Sequence, residues 1–255
     1  MGRSLIRLGS FERLHIEYNC LVCTAGYFAS RSRSHVAAEV TEFFQTVEEM
    51  AGIPRTLLRP TDSTPFLRME GDGKRHMRFM RWGLTPNWSK TAKFPYPTYN
   101  ARCETIAEKA SFREAFKSKR GLMPWLSYVE WREEGDRMIP YEFRLRSDDP
   151  IAFAAIWDQW GQGEEAFESC SMVTCEPNSL AAPYHDRMPV ILESDDFDHW
   201  LDPEANPKDL LALLRPLPSE LLVCELANPD DFRRKSKSKS TLTQQAVLSL
   251  FDDLE

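Results

Sequence analysis

Residues 20 to 29 read CLVCTAGYFA and place Cys20 and Cys23 three positions apart, ahead of small residues and an aromatic pair. That spacing fits half of a metal site, a redox pair, a segment of core strand or one reactive thiol. A structural zinc takes about four ligands, and the chain holds no second C-x-x-C and no H-x-x-x-H, so no metal and no other cofactor is expected. Four further stretches carry residue types that do chemistry. They are RFMRWGLTPNW (78–88) with Trp82, Pro86 and Trp88; YNARCETIAEKASFREAFKSKRGLMP (99–124) with Asn100 and Arg102; LSYVEW (126–131) with Glu130; and SLAAPYHDRMPVIL (179–192) with His185 and Arg187. Taken singly, each has a bland reading. Trp82 and Trp88 are core aromatics, Asn100 is a turn residue, Glu130 sits on the solvent face of a strand, and His185 is a loop histidine.

The elements that must position these residues are short. HVAAEVTEFFQTVEEM (35–50) has helical spacing and stops at Gly52 and Pro54. Strands are predicted at 64–69 and 77–82, separated by the turn GDGK. Residues 83–99 form a loop stiffened by three prolines and decorated with aromatics. Residues 104–118 read as helix, with Ser111 as an N-cap for the second part. Strands follow at 121–131, 139–146, 151–158 and 167–175, with SDDP as a hairpin connection between the second and third. Cys170 and Cys175 lie on the last of these as packed thiols. Two short helices near 195–201 and 207–214 and a strand at 220–225 complete the pattern. Strands and short helices without a βαβ period predict an α+β domain around a strongly bent, mainly antiparallel sheet or barrel with peripheral helices.

A chain of 255 residues needs no staples to bury a core. No apolar run spans a membrane, and the N-terminus has no apolar h-region, so the six scattered cysteines read as reduced thiols of a cytoplasmic protein. The net charge of −7 hides an asymmetry: residues 74–120 carry twelve Lys/Arg against three acids, a local +9, which leaves −16 elsewhere. Such a field holds phosphates even on an acidic protein; its alternative is a solvated face.

In order and wording, the four stretches and the N-terminal cysteine resemble the SRAP family (SOS response-associated peptidase): a Met-Cys start, then R-W-G-L-x-P-x-W, N-A-R-x-E-T with S-F-R-x-A-F, Y-x-E-W and H-x-R-M-P. The resemblance runs from about Cys23 to about Glu225. It implies an abasic-site sensor that binds single-stranded DNA and forms a thiazolidine crosslink through Cys23, without a membrane and as a monomer, nucleoid-associated in a bacterium. Carried over by position, Asn100 orients the cysteine or sugar, while Glu130 and His185 move protons. Arg102 and Arg187 hold phosphates, and Trp82, Pro86 and Trp88 wedge against base faces. A cysteine-type (auto)peptidase with Cys23 as nucleophile and His185 as base uses the same residues; a noncatalytic single-strand binder is the other alternative.

The chain departs from the family in three places, one of them the family's D-G-F-Y-E-W, which here reads W-L-S-Y-V-E-W and keeps Glu130 with an altered approach. Cys23 is followed by Thr24-Ala25-Gly26-Tyr27, so the family's early Arg is absent, and Cys23 is internal as written. Val22 as a GTG start codon, or removal of a leader, restores the free amine. The expected organisation is a leader over 1–22, a SRAP-like domain over 23–228 and a polar basic tail over 229–255.

Overall fold

Alternating apolar residues at period two, cut by turn residues, build twelve short strands among the described residues. The computed structural model describes residues 25–28, 56–228 and 232. Cys23, the helix expected at 35–50, the 1–22 leader and nearly all of the 229–255 tail lie outside the described residues. β3 (Ser63–Met69) and β4 (Arg75–Trp82) pair antiparallel from Ser63↔Arg81 to Met69↔Arg75. The intervening GDGK turn uses Gly73 at φ 74°, a left-handed position that glycine occupies without steric cost.

Five strands close a barrel. β3 also pairs with β6 (Arg120–Trp125), β6 with β9 (Ile151–Trp160), β9 with β10 (Phe167–Cys175), and β10 returns to β4. All these pairings are antiparallel except β10 with β4, which is parallel through Ser169↔Arg81 and Cys170↔Trp82. The expected bent sheet is therefore a mixed closed barrel. β5 (Asn100–Arg102) runs parallel to β10, and β11 (Met188–Pro189) pairs with its end. A second, antiparallel sheet has the order β12 (Leu222–Leu226), β8 (Arg137–Leu145), β7 (Ser127–Glu134), β1 (Ala25–Phe28) and β2 (Thr56–Leu58).

Aromatic contacts join barrel and sheet through one core. Trp82 meets Trp125 edge-on at 5.0 Å, Trp125 meets Phe153 at 5.5 Å, and Tyr128 meets Phe153 at 6.0 Å and stacks on Phe143 at 4.8 Å. Such pairs add about 0.5–1.5 kcal/mol each beyond the area they bury. The helices are peripheral: α1 (Arg113–Ser118), α2 (Phe197–Leu201) and α3 (Pro207–Leu213). α3 starts with Asn206 accepting from the Lys208 N–H and Pro207 at the first position.

Three expectations change. Helix forms only at Arg113–Ser118, not over 104–118, and Ser111 does not cap it; Phe112 holds the N-cap position without a side-chain bond. The preceding stretch is a 3-10 turn, Cys103–Thr105, followed by turns that bury Ile106 and Phe112. The predicted strand 121–131 is two strands broken at Leu126, because β6 pairs in the barrel and β7 in the second sheet. For the same reason SDDP is not a hairpin: β8 and β9 belong to different sheets. Among the described residues, no helix is long and apolar enough to cross a membrane.

Candidate functional site

The site assembles at the C-terminal end of β10. β5 lies beside it with Met172↔Asn100 and Thr174↔Arg102, and β11 approaches from the other side with Cys175↔Met188. Asn100, Arg102 and the following Cys103-Glu104 turn thus come next to Arg187, which immediately precedes β11. The Arg187 guanidinium donates to both carboxylate oxygens of Glu104, at 2.6 and 2.8 Å, and to the Thr174 carbonyl at 2.8 Å. This bidentate bond holds the Glu104 carboxyl below its usual range. Burial, then the neighbouring Glu104 charge, pushes the Cys103 thiol up.

His185 stands two residues before this anchor. Asn178 folds its loop by accepting from the Leu180 and Ala181 N–H groups at 3.1 and 2.9 Å, and its own amide donates to the Leu217 carbonyl. The Arg187 backbone N–H donates to His185 Nδ1 at 3.0 Å, which leaves the proton of the neutral ring on Nε2. Burial holds the imidazole below its ordinary pKa; Asp186 opposes this and the Arg187 and Arg102 charges reinforce it. The ring is therefore neutral at pH 7. When it protonates, Nδ1 has the Asp186 carboxylate 2.8 Å away.

Glu130 lies on the second sheet. It is 2% exposed and sits on β7 opposite Tyr141 of β8. Cross-strand partners share a face, as do residues two apart on a strand, so Tyr128, Glu130 and Arg132 of β7 face the same way as Tyr141 and Phe143 of β8. Tyr184, the neighbour of His185, packs on that face, 4.7 Å from Tyr141 and 5.2 Å from Phe143, with the Arg132 guanidinium 5.6 Å over its ring. A hydrogen bond with the Cys224 thiol, together with burial, pushes the Tyr184 phenol up to about 12. This packing ties the histidine loop to the glutamate strand. On the other side of β7, β1 begins at Ala25↔Val129.

The three wedge residues do not act together. Trp82 is fully buried, and its indole N–H donates to the Tyr99 carbonyl at 2.8 Å, so it cannot present a face to a base. Pro86 is buried as well. Trp88 alone is open, 53% exposed, with its N–H on the Ala110 carbonyl at 3.1 Å. Arg187, expected to grip phosphate, is 8% exposed and occupied by Glu104, so its first task is to hold the motif turn; Arg102 is exposed. Sequence reasoning gave no role to Glu104 or Tyr184. The E of N-A-R-x-E-T and the R of H-x-R-M-P were visible as motif letters, but their bidentate pairing depends on β10 lying between them. Tyr184 had no local signal.

Comparison with known proteins identifies the family. The family model described as SOS response associated peptidase (SRAP) matches residues 25–228. The chain is 40% identical over 140 residues to the abasic site processing protein YoqW of Bacillus subtilis, covering 54% of this chain and 62% of that protein. It is 29% identical over 144 residues to the abasic site processing protein YedK of Escherichia coli, covering 56% and 63%. These matches thus span under two thirds of either relative. A crystal structure of a Bacteroides thetaiotaomicron protein superposes with a TM-score of 0.68 at 27% identity, over 87% of this chain and 99% of that one.

Proposed function

The chain belongs to the SRAP (SOS response associated peptidase) family, and from that premise we propose that it captures abasic sites in single-stranded DNA as a thiazolidine on Cys23. The α-amine of Cys23 condenses with the ring-opened sugar aldehyde and releases one water to give an imine. The thiol then adds to the imine carbon and its proton passes to the nitrogen, closing a five-membered ring. Amine and thiol on one residue give the second step a high effective molarity. The reaction needs Cys23 to be the first residue, so the working domain starts there and residues 1–22 are absent from it.

The observation that carries the reading is convergence. A neutral imidazole at His185, Asn100 and Arg102 of β5 and the braced Arg187 meet at one end of β10, and buried Glu130 is tied to them through Tyr184. β1, which follows Cys23 in the sequence, pairs beside Glu130 through Ala25↔Val129. In this reading Glu130 and His185 exchange protons during sugar opening, water loss and ring closure. Asn100 orients the reacting groups, Arg102 meets a flanking phosphate and Trp88 meets a base.

Uracil-excised single-stranded DNA tests the proposal, with protein starting at Met1 compared with protein starting at Cys23. A denaturing-gel shift for the second, lost in Cys23→Ala, is expected. Peptide cleavage without any shifted band would overturn the DNA reading in favour of a cysteine peptidase. Full crosslinking by protein whose intact mass retains residues 1–22 would overturn the N-terminal assignment.

A further inference from the structure

The loop 83–99 leaves and rejoins a single edge of the barrel. The Gly83 N–H donates to the Cys170 carbonyl and the Met172 N–H to the Tyr99 carbonyl, both at 2.9 Å, so the excursion is closed at its base within three residues of β10. Gly83 at φ 135° makes the outward turn, a conformation open to glycine. Between this loop and the β3–β4 end lies an open cleft of about 260 Å³, walled by Thr61, Arg81, Lys93, Phe94, Tyr96 and Tyr99. That is below the range of about 300–1,000 Å³ typical of drug-sized ligands, so its occupant is small or is one unit of a polymer.

Three features define that occupant. No lining residue is acidic, and Arg81 and Lys93 are cationic. Neither forms an ion pair among the described residues. The rim is aromatic: Trp88, Phe94 and Tyr96 form a row of edge-to-face contacts at 5.6 Å each, and Tyr96 is 68% exposed. Pro95 and Pro97 alternate with these rings and fix their backbone, which lowers the ordering cost of binding. Finally, the cleft adjoins the candidate site along the chain: Tyr99 in its wall directly precedes Asn100 at the start of β5.

We propose that this cleft is a nucleotide subsite: it seats one base of the strand flanking the abasic site against Phe94 and Tyr96, with the adjoining phosphate on Arg81 and Lys93. The inference rests on the abasic-DNA reading and extends it to a second, non-reacting contact. Stacking is indifferent to base identity, so the subsite adds affinity without sequence preference.

The test uses the full chain and single strands carrying a tetrahydrofuran abasic analogue, which cannot crosslink. A 2-aminopurine probe is placed in turn at each of four positions on either side of the lesion. Wild type should change the probe's fluorescence at one or two positions. The double variant Phe94→Ala/Tyr96→Ala should abolish that change and weaken binding about tenfold; because Phe94 is half-buried, the single variant Tyr96→Ala, at a ring 68% exposed, should weaken the change with an unaltered thermal midpoint. Lys93→Gln should reduce the salt slope of log Kd by about one. Wild-type binding that these variants leave unchanged would sink the subsite and spare the abasic reading. Absence of any strand binding by wild type would sink both.

Discussion

At the scale of single residues, the proposed chemistry turns on the charge state of His185. Burial lowers its pKa, Arg187 and Arg102 lower it further, and Asp186 raises it. The sign follows: a base with a folded-state pKa below 6.5 stays neutral in the folded chain at pH values where the unfolded chain has begun to bind its proton. His185 therefore opposes folding increasingly as pH falls below about 6.5, until the folded-state pKa is passed. If the neutral ring acts in crosslinking, the acid limb of the rate profile lies below pH 6.5. Asp186→Asn removes the opposing charge and should move that limb to lower pH; Arg102→Gln should move it up. Rates measured at saturating DNA from pH 4 to 8 check both directions, and a limb that neither substitution moves would assign it to another group.

At the scale of elements, the loop 83–99 is held by polar contacts rather than by its own core. Asp158 on β9 is 4% exposed and accepts from the Asn87 N–H at 2.8 Å and from Lys119 Nζ at 2.6 Å. Ser169 accepts from the Thr85 N–H at 2.8 Å, and the Trp160 indole donates to the Ser89 carbonyl at 2.8 Å. Asp158→Ala removes the buried end of an ion pair whose lysine is 34% exposed, and an acceptor for a loop N–H. It should cost about 3 kcal/mol and, on the proposed role of Trp88, weaken strand binding, while Asp158→Asn, which keeps an acceptor, should cost less. Chemical denaturation and strand-binding assays measure the two effects. None of this loop anchoring was legible in sequence. Strands β3, β4, β9 and β10 were, because period-two patterning and turn residues are local signals. The break at Leu126 and the separation of β8 from β9 were not, since each run alternates correctly and only the partner strand decides which sheet it joins. The site divides likewise: Asn100, Glu130 and His185 stood in motifs, whereas the burial of Trp82 and Pro86 and the occupation of Arg187 follow from contacts made far along the chain.

At the scale of the whole molecule, the site needs the barrel closed, because β5, β10 and β11 are barrel strands or their direct partners while Glu130 comes from the other sheet. Closure between β3 and β6 is narrow. Their register is defined at Leu67↔Leu122, and Gly121 beside it lets the strands approach. A Cβ on Gly121 would stand 2.1 Å from Phe66 Cε1 and 2.6 Å from the Leu67 carbonyl oxygen. The phenyl ring is itself fully buried, and the carbonyl belongs to the facing backbone. Neither can give way without opening the seam. The Gly121 carbonyl also accepts from the Trp200 indole at 2.9 Å, which seats α2 on the barrel. Gly121→Ala should therefore destabilise the fold by about 3 kcal/mol, at the upper end of overpacking costs. For a domain of this size that lowers the thermal midpoint by about 6–12 °C. Gly71→Ala is the matching control, since nothing lies within 4 Å of its Cβ position, and its midpoint should stay within a degree or two of wild type, as for surface changes within about 0.5 kcal/mol. Equal midpoints for the two variants would mean that the β3–β6 seam yields without cost, and that barrel closure is not what holds the two halves of the site together.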